Sequence, residues 1–218
     1  MRGFSNSIRT STNDIPKWKQ IVFSAFIMFL GIVLGVISKY FDNTVSNELP
    51  YLISILDLRN FFSRFAIWVL IAVFISVYGK TPVRAAINVF VFFVGMVGSY
   101  YLYSNYVAGF FPRSYALIWG GFTLISPLLA YICWYAKGNG KIAILISAGI
   151  VAILFNMTFS YGLFYIDIVS LLELIVFLIA IVILRRSPKE MIIMLGSSVI
   201  IAIILEFVFS EFVPFHLF

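Results

Sequence analysis

Glu173 and Glu206 lie inside long apolar runs, and that position gives them chemical interest. A carboxylate within a lipid-crossing helix costs on the order of 2.5 kcal/mol or more unless it is paired or wetted. Two readings stay open for each. Glu173 anchors a proton, a cation or an amine, or it pairs internally with Lys39 or Arg64. Glu206 is a second anchor, or it reaches water at the interface. Asn156 sits at a similarly shallow depth in another run, as a ligand contact or an interhelical hydrogen bond. Lys39, Asp42 and Asp57 fall near the ends of such runs and could line the mouth of a polar cavity. Tyr103, in the tyrosine-rich stretch around it, could stack on a cation or a flat ligand.

Other chemistries lack their residues. The lone histidine is His216 and the lone cysteine is Cys133, so no metal cluster or intrachain disulfide is expected. There is no nucleophile motif, no phosphate-binding glycine loop and no arginine ladder within a run. The sequence therefore predicts neither a catalytic residue nor a cofactor.

The elements that must position these groups are seven apolar stretches: 21–40, 61–79, 83–106, 115–136, 142–160, 166–184 and 191–210. Each is near the ~20 residues a helix needs to cross a bilayer. Of the 218 residues, 62% are hydrophobic and 11% charged, against about 25% charged in soluble domains. Lipid must replace water around much of this chain. The expected fold is an all-α polytopic membrane bundle of about seven transmembrane helices. Residues 1–20 form a polar cytoplasmic segment, 21–210 one transmembrane domain, and 211–218 a short extracytoplasmic tail. The 44–58 stretch is too short and polar to span, and Pro50 should start an outer interfacial or re-entrant helix.

Charge sets the orientation. With the N-terminus inside, the inner loops hold Arg2, Arg9, Lys17, Lys19, Lys80, Arg84, Lys137, Lys141, Arg185, Arg186 and Lys189. Only Lys39, Arg59, Arg64 and Arg113 fall outside, as the positive-inside rule requires. The C-terminus is then outside. The net charge of +6 is thus a matter of orientation and anionic lipid, not of nucleic acid. Acids gather on the outer side, which favours a cationic or zwitterionic solute over an anion.

Ser24, Gly31, Gly35 and Ser38 share one face of the first stretch. Small residues let helices approach closely in lipid. The face either packs inside the bundle or receives a partner subunit or a second copy. Pro127 should kink the fourth stretch. The loops around Thr81-Pro82 and Ser187-Pro188 look alike, which raises the question of an internal repeat.

The runs Gly31–Gly35 (GIVLG), Lys39–Asp42 (KYFD), Tyr78–Ala86 (YGKTPVRAA), Tyr100–Tyr103 (YYLY), Ser126-Pro127 and Trp134–Gly138 (WYAKG) carry a further likeness. Over roughly residues 20–140 the chain resembles a family of small multi-pass membrane proteins of Gram-positive bacteria, of unassigned function. The resemblance implies a bacterial plasma membrane and transfers no site residue. The functional expectation is small-solute binding or transport. The alternative is a non-catalytic accessory or assembly subunit of a larger membrane complex.

Overall fold

A computed structural model describes residues 8–11, 16–45, 48, 50–162 and 164–212. The polar segment expected over 1–20 is therefore seen in part. Residues 213–218 of the expected tail, His216 included, lie outside the described residues. About 80% of the chain is helical. The helices are α1 (Lys17–Asn43), α2 (Tyr51–Ile55), α3 (Leu58–Ser63), α4 (Ala66–Val77), α5 (Pro82–Tyr106), α6 (Arg113–Trp134), α7 (Gly140–Thr158), α8 (Leu171–Ile183) and α9 (Pro188–Phe212). A 3-10 turn, Tyr135–Lys137, follows α6. Strands β1 (Phe159–Tyr161) and β2 (Ile166–Ile168) stand between α7 and α8 and pair antiparallel, with Ser160 opposite Asp167.

Among the described residues five helices, α1, α5, α6, α7 and α9, are long and apolar enough to cross a membrane. They leave large side chains such as Phe26, Phe29, Leu124, Leu128 and Ile200 uncovered. In water that much apolar surface is an aggregation hazard; in lipid it is the solvated face. The chain is an all-α membrane protein.

The other two apolar stretches form shorter helices, for physical reasons. The stretch 61–79 breaks between α3 and α4, with Arg64 in the break, and α4 keeps 12 residues. The stretch 166–184 begins as β2, and α8 starts only after Ser170, leaving 13 residues. A straight helix of that length covers about 20 Å of a ~30 Å hydrocarbon core.

The 44–58 region begins a helix at Pro50, whose carbonyl accepts from Ile53 N at 2.9 Å and Ser54 N at 3.0 Å. The short helix expected to start at Pro50 is α2, and a second short helix, α3, follows it. Asp57 turns the chain between them with φ 51°, a left-handed conformation that aspartate tolerates better than most residues.

The helices divide into two units. One comprises Ser11–Ser63 and Ile75–Trp134. Here α1 packs along α5 through glycines. A Cβ at Gly31 would run into the Phe92 carbonyl oxygen, and one at Gly35 into that of Met96. From the other side, a Cβ at Gly95 would lie 2.5 Å from the Met28 carbonyl oxygen. Ser24 donates to Asn88 Oδ1 at 2.7 Å and Ser99 to the Ile32 carbonyl at 3.0 Å. The Ser24/Gly31/Gly35 face is thus occupied by α5 of the same chain and is not free to seat another subunit. Ser38, at its end, approaches the Phe62 carbonyl at 3.5 Å. Helix α6 runs through Pro127. Proline leaves the carbonyl four residues back without its donor, and Ser126 Oγ supplies one to that Thr123 oxygen at 2.8 Å.

The other unit comprises Met1–Thr10, Arg64–Phe74 and Tyr135–Phe218. In it α7 packs on α8 and α9 and buries Ala143, Ser147, Ala148, Val151 and Ala152. The likeness of the two proline loops has a local cause. Both place Pro at the first position of a helix, where its missing N–H costs nothing.

The glycine seam predicts opposite responses to one methyl group. Gly31→Ala should lower stability by roughly 1–3 kcal/mol, the cost of overpacking. Gly98→Ala, where nothing lies within 4 Å of an added Cβ, should leave stability unchanged or slightly raised. Thermal unfolding in detergent, followed by circular dichroism, separates the two.

Candidate functional site

Glu173 is the most enclosed charged group among the described residues, with a relative exposure of 0%. Ser170 caps α8 and accepts from the Glu173 N–H at 3.4 Å. That pattern, Ser followed three residues on by Glu, marks a helix start. Glu173 therefore stands in the first turn of its helix, not about 10 Å inside it as the apolar run implies. Thr158, at the end of α7, is itself buried and donates to the Glu173 carbonyl at 3.1 Å. The backbone is held at both of its polar groups.

The carboxylate meets one cation. Arg64 Nη1 donates to Oε1 at 3.1 Å, from the break between α3 and α4. The second oxygen, Oε2, is buried and has no hydrogen-bond partner among the described residues. Arg64 is 36% exposed at its side chain, so the pair has one open side and one enclosed side. One turn along α8, Phe177 packs against Phe159 and Phe155, with ring centroids 5.5 and 6.0 Å apart. An aromatic cluster thus joins α8 to the end of α7, one turn beyond Glu173.

Asn156 belongs to the same unit and is fully engaged. Its Nδ2 donates to the Ala202 carbonyl at 3.0 Å, and its Oδ1 accepts from Tyr161 OH at 3.0 Å. It ties α7 to α9. Glu206 is exposed on α9. Burial, and then the negative charge of Glu206, raise the Tyr161 phenol above its ordinary pKa. The expected second anchor is therefore an open carboxylate beside a hydrogen-bonded Tyr–Asn pair, not an enclosed one.

The remaining expected residues lie in the other unit. Lys39 is buried, with Nζ 2.7 Å from Asp42 Oδ2, at the i,i+3 spacing that brings helix side chains together. Tyr100 OH donates to the same Asp42 oxygen at 2.9 Å, and Lys39 Nζ stands 5.1 Å from the Tyr100 ring centre. The ammonium is thus held by a carboxylate and an aromatic face together. The tyrosine on this cluster is Tyr100; Tyr103 lies three residues further along α5 and is half-buried. Asp57 is exposed and its two oxygens accept from Asn60 Nδ2 at 2.9 Å. It shapes a turn and lines no cluster.

The expected residues thus fall into separate sets. Glu173, Asn156 and Glu206 share one unit; Lys39, Asp42, Asp57 and Tyr103 share the other. Of the two internal partners open to Glu173, the structure pairs it with Arg64 and not with Lys39; Thr158, Tyr100 and Tyr161 are polar partners that sequence reasoning did not place. Among the described residues, no three of His, Cys, Asp and Glu gather to hold a metal ion. The chain matches no family model, no curated protein and no solved structure.

The two halves of the ion pair should respond unequally to removal. Arg64→Gln strands an enclosed carboxylate and should cost roughly 3–5 kcal/mol. Glu173→Gln strands an arginine that reaches the surface and should cost clearly less. Chemical denaturation of both variants in the same detergent tests this order.

Proposed function

We propose that this chain is a multi-pass membrane protein that binds a small zwitterionic or cationic solute and carries it across the bilayer, with Glu173 as the anchor. The observation behind this reading is the enclosed carboxylate with one oxygen on Arg64 and the other free. An oxygen buried without a donor is costly, and a site that leaves it open gains by receiving one. An ammonium group on Oε2 completes the carboxylate. The acidic group of a zwitterion then meets Arg64, whose open side is the way in. A zwitterion replaces both halves of the pair, so it fits better than a lone cation.

In this reading all seven apolar helices lie in the bilayer, with the N-terminus inside and the C-terminus outside. Helices α4 and α8 cross only part of it, and the break at Arg64 and the capped start of α8 meet at the solute. Interrupted helices with polar groups at the break are how several transporter folds build a site in lipid. The bacterial plasma membrane is the proposed location, on the strength of the sequence likeness alone.

A second reading is a non-catalytic accessory subunit. It draws on an apolar groove of about 490 Å³ between α5 and α6, floored by Gly98, Gly120 and Gly121.

Native mass spectrometry of gently extracted protein separates these readings. The proposal expects a small molecule on the wild type that Glu173→Gln no longer carries. A wild type bound to a stoichiometric protein and no small molecule favours the accessory subunit. A small molecule retained by Glu173→Gln removes Glu173 as the anchor.

A further inference from the structure

Three segments remote in sequence converge at one end of the unit that contains α7, α8 and α9. Arg186, in the loop between α8 and α9, donates Nη1 to the Gly138 carbonyl at 3.1 Å, and Nη2 to the Ala136 carbonyl and to Ser147 Oγ at 3.3 Å. Asn139 N donates to the Ile8 carbonyl at 2.7 Å. Gly138 is buried there, and a Cβ on it would collide with Ile8. Residues 8–9, 135–141 and 185–189 are thus tied into one platform.

The platform is basic. Arg9, Lys137, Lys141, Arg185 and Lys189 all lie within four residues of those contacts, and the last four are exposed. The one acid in the three segments and the first turn of α9 is Glu190, which accepts from Ser187 Oγ at 3.1 Å. Among the described residues no carboxylate forms an ion pair with Lys141, Arg185 or Lys189. Arg186 spends its guanidinium on neutral acceptors, and its Nε is buried without a partner among the described residues. Guanidinium groups usually meet carboxylate or phosphate; among the described residues Arg186 forms an ion pair with no carboxylate, and Glu190 acts on it only electrostatically. Two long helices, α7 and α9, also begin at this platform and point their N-terminal dipoles at it.

We infer that this platform binds the phosphate of an anionic phospholipid headgroup. The helices that start here are long and apolar enough to cross a membrane, so their ends lie at headgroup depth. Basic clusters between helix ends at that depth are suited to anionic lipid. The inference stands apart from the Glu173 site and does not depend on it.

The test uses the full chain in nanodiscs of phosphatidylcholine with a minor fraction of phosphatidylglycerol. The lipid that stays bound on release is read by native mass spectrometry. The expected result is about tenfold enrichment of phosphatidylglycerol, lost in the Lys141→Gln/Arg185→Gln/Lys189→Gln variant. Arg186 is kept, because it holds the platform together. The same charge removed at Lys17, Lys19 and Lys80 should leave the enrichment in place. Unchanged circular dichroism melting of the first variant in pure phosphatidylcholine shows that its fold is intact. Equal retention of the two lipids by the wild type would overturn the inference. So would equal losses in the two triple variants, which would mean diffuse attraction to positive charge. Displacement of the lipid by equimolar inorganic phosphate would reassign the platform to a soluble anion.

Discussion

A charged carboxylate withdrawn from water must be met by positive charge or hydrogen-bond donors, because its desolvation costs several kcal/mol. Glu173 imposes that requirement here, and the surrounding chain is arranged to meet it. Helix α8 starts at Ser170, which places the carboxylate in the first turn, beside the partial positive charge of the helix N-terminus. Thr158 holds the neighbouring backbone. The break before α4 puts Arg64 within 3.1 Å of the carboxylate. The two short helices exist because of the two polar residues at their starts. An uninterrupted run would have carried both groups as unpaired charges on an apolar cylinder.

The same accounting of polar groups governs the rest of the molecule. Where water is excluded, a backbone carbonyl freed by proline or by a helix end needs a donor from the protein. Ser126 serves Thr123 beside Pro127, and Arg186 serves Ala136 and Gly138. Helices that gain little from hydrophobic attraction in lipid must hold by close contact. The seam of Gly31 and Gly35 against α5, with Gly95 opposite, supplies it. These features bind each unit internally and leave Glu173 Oε2 as the one buried carboxylate oxygen among the described residues without a donor.

Much of this was legible in the residue order. Each of the seven apolar runs contains a helix, and among the described residues five of these helices are long and apolar enough to cross a membrane. The small-residue face of α1 and the Lys39–Asp42 pair follow from helical spacing alone. The break at Arg64 was hidden because one arginine barely lowers the hydropathy of a long run. The late start of α8 was readable in Ser170 and Glu173, whose spacing is a capping signal that hydropathy overrode. Tyr100 could not be told from Tyr103, since both lie on turns of α5 near the Asp42 end, and only the register against α1 chooses. Arg64 was one of two cations that the need of a buried Glu173 for a partner pointed to, whereas Arg186 with Gly138 joins residues far apart in the chain. No local pattern announces such a pairing.

Glu173 meets Arg64 through one oxygen, and its other oxygen is buried and without a donor among the described residues. Infrared difference spectroscopy of the protein with ¹³C-labelled glutamate, wild type against Glu173→Gln, measures this directly. The expected result is a carboxylate band assigned to Glu173 at neutral pH, which shifts when Arg64 is replaced by Lys. A protonated carbonyl band in its place, insensitive to residue 64, would contradict the pairing with Arg64.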